Sequence, residues 1–168
     1  SAALHIAVAA AGIAPGDEVI TSGITDIGTV IGVLFQNAVP VFADIRPDTL
    51  NIDERQIEAL VTPRTKAIVP VHYAGVACDM TAILDIARRH GLRVVEDNAH
   101  GLFGRFEGRP LGSFGDLAAL SFHETKNISC GEGGALLIND PALVARAEIL
   151  REKGTNRAAY FRGQLDKY

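Results

Sequence analysis

Val94-Val-Glu-Asp-Asn-Ala-His100 and Ser121-Phe-His-Glu-Thr-Lys-Asn127 decide how this chain is read. The first is a short apolar run that closes on two acids. The second carries the apolar run Leu117-Ala-Ala-Leu120 into a polar loop holding a lysine. Short apolar runs of this kind, separated by helical patterns, mark an α/β fold with a largely parallel sheet. The runs predict strands over Glu18–Thr21, Val39–Asp44, Ala67–Val71, Arg93–Glu96, Leu117–Ser121 and Ala135–Ile138. Several are apolar at nearly every position, as expected of strands covered on both faces.

Helical patterns fill the gaps. One opens the chain at Ala2 and closes at Gly12. A second runs from Asp26 to Phe35. A third starts at Asp53 with a possible capping box to Gln56 and runs to Val61. Asp79 caps a fourth, whose positions Met80, Ile83, Leu84 and Ala87 share a face, and Gly91 ends it. Pro141 starts a last helix that reaches about Lys153. The Gly-rich stretch 101–115 predicts a short hairpin around Phe106-Glu-Gly-Arg109, the kind of loop that lies over a site. The expected architecture is a three-layer α/β/α single domain over residues 1–168 with a mainly parallel sheet.

A length of 168 residues suffices for one real core. The net charge of −4 argues against nucleic acid as a partner. No apolar run is long enough for a membrane span, and no basic signal-peptide region opens the chain. Cys78 and Cys130 form no CxxC pair, which suggests a reducing, cytoplasmic setting with no disulfide framework and no zinc. No metal-ligand spacing occurs among the histidines. Gly131-Glu-Gly-Gly134 lacks the Lys-Ser/Thr of a P-loop, and no GxGxxG follows a strand, which counts against a generic nucleotide-binding domain. The chain starts without Met inside a helical pattern and stops without a terminating signal, so we expect a piece of a longer protein.

In an open α/β sheet, ligands collect at the carboxyl ends of strands. Asp97 closes one strand and Lys126 lies in the loop that follows another, about thirty residues on. A pyridoxal phosphate enzyme needs this pair: a lysine to carry the aldehyde as a Schiff base, and an acid to keep the ring nitrogen protonated. Glu96 points to the opposite sheet face from Asp97, so only one of the two can serve the ring. Read without context, Asp97 is equally a cap or a salt-bridge partner, and Lys126 a solvated surface lysine. Ser121 can bind a phosphate and His100 can hydrogen-bond the ring or fill space. His72, Tyr73 and His123 are weak substrate-pocket candidates, His123 being equally a packing residue.

These segments, in order, resemble the DegT/DnrJ/EryC1/StrS family of sugar aminotransferases. The resemblance rests on Pro15-Gly-Asp-Glu-Val-Ile20, Pro40-Val-Phe-Ala-Asp44, Val69-Pro-Val-His-Tyr-Ala-Gly75, Val95-Glu-Asp97, Ser121-Phe-His-Glu-Thr-Lys-Asn127 and Gly131-Glu-Gly-Gly134, with Arg151-Glu-Lys-Gly-Thr-Asn-Arg157 and Phe161-Arg-Gly-Gln-Leu-Asp-Lys-Tyr168. It implies the large domain of a fold-type I pyridoxal phosphate enzyme, with an N-terminal segment and a small C-terminal domain outside this chain. It implies transfer of an amino group from an amino acid, glutamate, to a nucleotide-linked 4-keto-6-deoxy sugar, within it most closely the dTDP-linked case, in cell-surface polysaccharide synthesis. It also implies a homodimer with shared active sites. By resemblance Lys126 is the Schiff-base lysine, Asp97 the pyridinium partner, and Ser121 a phosphate ligand beside the backbone of Ser1 and Ala2. His100 stands where members have Gln or His. Asp26 falls at a cofactor-binding position where members commonly place an aromatic ring, and a carboxylate cannot stack. Rival readings are a family dehydratase, which carries His at the lysine position, an aminotransferase acting at another sugar carbon, and a non-catalytic regulatory or scaffold protein of the same fold.

Overall fold

A computed structural model describes residues 1–167; Tyr168, the last residue of the quoted motifs, lies outside them. Six strands form one sheet: β1 (Glu18–Ser22), β2 (Val39–Ala43), β3 (Thr65–Val69), β4 (Arg93–Asp97), β7 (Leu117–Ser121) and β8 (Gly134–Ile138). Their order is β2-β1-β3-β4-β7-β8. The first five run parallel, and β8 joins β7 antiparallel. The expected β3 reached Val71, but Pro70 has no N–H to give the ladder, and the strand ends at Val69. Val71 still bridges to Asp97.

Alternation along the strands sorts the core into two layers. On one face Val19, Val69, Val95, Leu117 and Ala119 pack with α1 (Ala2–Ala10), α2 (Ile27–Phe35) and α5 (Val144–Arg151). On the other, Ile20, Ile68 and Val94 meet α3 (Glu54–Ile57) and α4 (Met80–His90). Three layers are therefore filled, as the patterning predicts, and each fully buried Ile or Leu contributes about 2 kcal/mol. In α4 the buried side chains are Met80, Ile83, Ile86 and Ala87, with Leu84 only half-buried. Asp79 caps this helix through Ala82 N–H, and Gly91 ends it at φ 64°.

Other expectations need correction. The Asp53 helix spans four residues and then tightens into a 3-10 turn, Glu58–Leu60. Gln56 bonds the Asp53 carboxylate, not its N–H, which donates to Asp44, so the box does not close. A short helix α6 (Arg157–Phe161) was not foreseen. The hairpin exists as β5 (Arg105–Phe106) and β6 (Arg109–Pro110). Phe106 and Phe114 pack on the α4 layer, so the hairpin covers the face opposite Asp97.

That placement comes from Glu96, which is fully buried. Its Oε1 accepts from Phe114 and Gly115 N–H, both at 2.7 Å, and its Oε2 from Gly112 N–H at 2.8 Å and His72 Nε2 at 2.9 Å. Cys78 N–H donates to His72 Nδ1, so Nε2 is the nitrogen that carries the proton given to Glu96. Burial works to raise the Glu96 pKa, yet the donors from His72, Gly115 and Gly112 outweigh it and hold the carboxyl below its ordinary 4.5. A lowered folded value stabilises the protein above the unfolded pKa, and that stability is lost as pH falls through the folded one. Glu96→Gln brings an amide N–H against these donors. Urea unfolding should show a loss of about 3 kcal/mol at pH 7, with variant and wild type converging below the ordinary value of 4.5.

Candidate active site

β4 places Val95 and Asp97 on the α1 layer, and β7 places Ser121 on that same layer, two residues beyond Ala119. The opening turn of α1 lies beside the end of β7: a Cβ on Gly134, the ladder partner of Ser121, would stand 3.9 Å from Ala3 Cβ. The N–H groups of that first turn have no intrahelical acceptor, and the Ser1 side chain makes no cap hydrogen bond. Ser1, Ala2 and Ser121 thus share one corner at the carboxyl edge of the sheet.

The first turn of α2 enters the same corner. A Cβ on Gly28 would meet both Ser1 Oγ, at 3.0 Å, and Asp26 Oδ1, at 2.9 Å. Asp26 caps this helix by accepting Gly28 N–H at 2.7 Å. A helix start explains why an acid stands at that position. One residue further on, Thr29 donates to Asp97 Oδ2 at 2.6 Å, while Ala99 N–H donates to Oδ1 at 3.1 Å.

Asp97 is 5% exposed. Its two donors are neutral, and among the described residues no cationic side chain bonds it. Buried charges are normally paired. Glu96, one residue earlier, has four donors and is spent on the fold. Asp97 has acceptor capacity left over, and what it lacks is a cation.

Lys126 sits in the irregular stretch between β7 and β8, half-buried. The stretch is pinned at its root by Phe122 N–H to Gly133 O and Cys130 N–H to Phe122 O. Lys126 N–H donates to His123 O, and Asn127 Nδ2 ties the turn to Leu102 O at 3.1 Å. His100 lies two residues before Leu102. Its Nδ1 accepts Ala74 N–H at 3.2 Å, and its ring meets Tyr73 edge to face at 6.1 Å. Ala74 takes φ 52°, a left-handed value that aims this N–H. Burial pushes the His100 pKa down and the Lys126 charge pushes it further, while the Asp97 and Asp26 carboxylates pull it back. One imidazole therefore feels Lys126, Asp97 and Asp26 together, and it stays neutral with its N–H on Nε2.

The weak candidates divide. Tyr73 remains at the rim. His123 bonds Thr125 through Nδ1 and lies 3.5 Å from Glu132 through Nε2, bracing its own loop. His72 is fully buried on the far face with both nitrogens occupied, so it has no atom to offer a substrate. The sequence reading missed Thr29 and Asn127. The available signal for Thr29 was that it is the one polar side chain in Ile27-Gly-Thr-Val-Ile-Gly-Val-Leu-Phe35. Among the described residues no cluster could hold a metal, and no helix is long and apolar enough to cross a membrane. The donor set suits a ligand with a cationic nitrogen for Asp97, a carbonyl for the Lys126 amine, and an anion for the α1 corner.

Residues 1–166 match the DegT/DnrJ/EryC1/StrS aminotransferase family. The chain is 50% identical over 162 residues to the spore coat polysaccharide biosynthesis protein SpsC of Bacillus subtilis, covering 96% of this chain and 42% of that protein. It is 47% identical over 161 residues to GDP-perosamine synthase of Caulobacter vibrioides, covering 95% and 43%. The crystal structure of NtdA from Bacillus subtilis with bound cofactor PMP superposes with TM-score 0.82 at 38% identity, covering 88% of this chain and 33% of that one. The chain thus spans about two fifths of the length of the curated relatives it matches.

Lys126→Gln removes one of the two influences that hold the His100 pKa down. Proton NMR titration of the imidazole should show that pKa rise in the variant.

Proposed function

Because this chain belongs to the DegT/DnrJ/EryC1/StrS aminotransferase family, we propose that it is the large-domain part of an enzyme that moves an amino group from an amino acid, glutamate, to a nucleotide-linked 4-keto-6-deoxy sugar. The cofactor is pyridoxal phosphate, whose aminated form is PMP. When bound it supplies an aldehyde carbon for amines and a ring that accepts negative charge.

The observation that carries this reading is the buried Asp97 carboxylate, which accepts from two neutral donors and bonds no cation among the described residues, with Lys126 half-buried in the loop that follows β7. Asp97 would hold the ring nitrogen in its protonated state. The Lys126 amine would hold the aldehyde carbon and, when free, would serve as general base and acid for the proton on the donor's α-carbon. Ser121 and the first-turn N–H groups beside Ser1 and Ala2 would hold the phosphate, where the helix dipole favours an anion. His100 would offer its Nε2–H to the ring hydroxyl, and Tyr73 packs edge to face against that imidazole. Lys126 also sets the chain apart from the dehydratase reading, which needs His there.

The nucleotide sugar is inferred from relatives: GDP-perosamine synthase carries one in its name, and DesI, 41% identical with TM-score 0.87, was solved in the presence of its TDP-sugar product. The outward face of α2 supports a homodimer. Ile27, Leu34 and Phe35 are exposed, at 63%, 47% and 61%, beside Val39 and Phe42 of edge strand β2. A helix apolar all round is normally covered. Free thiols at Cys78 and Cys130 fit a cytoplasmic setting.

Lys126→Ala in the complete protein should abolish the visible absorbance of covalently held cofactor and lower amino transfer by roughly a thousandfold or more. Borohydride treatment of the wild type should fix the cofactor to the peptide containing Lys126. Retained turnover in the variant, or cofactor fixed elsewhere, would overturn the assignment.

A further inference from the structure

We infer that Thr25 and Thr29 form a hydroxyl relay that positions Asp97 for a cationic ring nitrogen, so that Thr29 determines preference for that nitrogen without touching it. This rests on the proposed role of Asp97. Thr29 is 2% exposed and Asp97 5%, and they lie 2.6 Å apart. Thr25 Oγ1 stands 2.5 Å from Thr29 Oγ1. The direction of the relay follows from proton accounting. An ionised carboxylate can only accept, so the single hydroxyl proton of Thr29 goes to Asp97 Oδ2. Thr29 oxygen is then left as an acceptor, and the Thr25 hydroxyl must donate to it.

The consequence is geometric. The outer torsion of an Asp side chain is broad and holds no single rotamer by itself. Here each carboxylate oxygen receives one neutral donor, Thr29 on Oδ2 and Ala99 N–H on Oδ1. The two together fix the carboxylate plane and leave each oxygen a further lone pair. Thr29 sits in the first turn of α2, so the relay also ties Asp97 to that helix's positive end. A cation, arginine or lysine, in place of Thr29 would hold the carboxylate equally well but would consume its charge. Two hydroxyls hold it and leave the charge for a ligand.

The test uses the complete protein stripped of cofactor. Its affinity is measured for pyridoxal phosphate and for 1-deazapyridoxal phosphate, in which C–H replaces the ring nitrogen. Wild type should prefer the former. Thr29→Val, which keeps the shape and removes the hydroxyl, should erode that preference by about tenfold, the worth of a hydrogen bond to a charged group, with the deaza affinity unmoved. Thr29→Ser should restore it. Equal weakening toward both compounds, or a Ser variant as impaired as Val, would mean that Thr29 only packs, and would overturn the inference. Thr25→Val provides a second route should the buried variant not fold: its preference should fall in the same direction, and an unchanged preference would overturn the relay. A wild type that binds neither compound, or both equally, would instead sink the underlying role of Asp97.

Discussion

Two neighbouring carboxylates on one strand, turned to opposite faces of the sheet, organise this molecule. Strand alternation sends Glu96 into the α4 layer and Asp97 into the α1 layer. Glu96 is saturated by His72 and three loop N–H groups, which draws the stretch 101–115 onto that face and locks the end of β4. Asp97 inherits the rigidity that results. Its carboxylate is held in place by Thr29 and Ala99 on a strand that cannot shift beneath it.

Much of this was legible in the sequence. Apolar runs bounded by turn residues placed all six strands of the main sheet, since a strand covered on both faces leaves little room for polar side chains. Asp79 and Gly91 fixed the ends of α4 through capping chemistry that is local by nature. Lys126 and Asp97 stand out as candidates from their positions at strand ends. What stayed hidden depended on contacts between distant segments. Thr29 bonds Asp97 across 68 residues of sequence. His72 reads as a pocket residue because it follows a strand, and only the placement of Glu96 and Cys78 shows it to be enclosed. The hairpin at Phe106 was visible as a hairpin, while the face it covers was set by Glu96 and the pairing of Phe106 with Phe114.

Asp26 shows how one residue can answer to local and distant demands together. Locally it caps α2, a task that suits its side chain well. Its charge also reaches His100, alongside those of Lys126 and Asp97. The corner where α1 and α2 begin therefore contains one helix end already supplied with an anion and one that is not.

The antiparallel pairing of β7 with β8 sets a different design freedom for the two chemical groups. Asp97 belongs to a parallel strand whose register is shared with β3 and β7, so any slip would turn it to the wrong side. Lys126 hangs instead from a connection between two sequential neighbours, rooted by hydrogen bonds at Phe122. Residues can be gained or lost in that connection at small entropic cost while the ladder below stays intact. A change of length there would shift the Lys126 amine and leave Asp97 where the parallel register holds it.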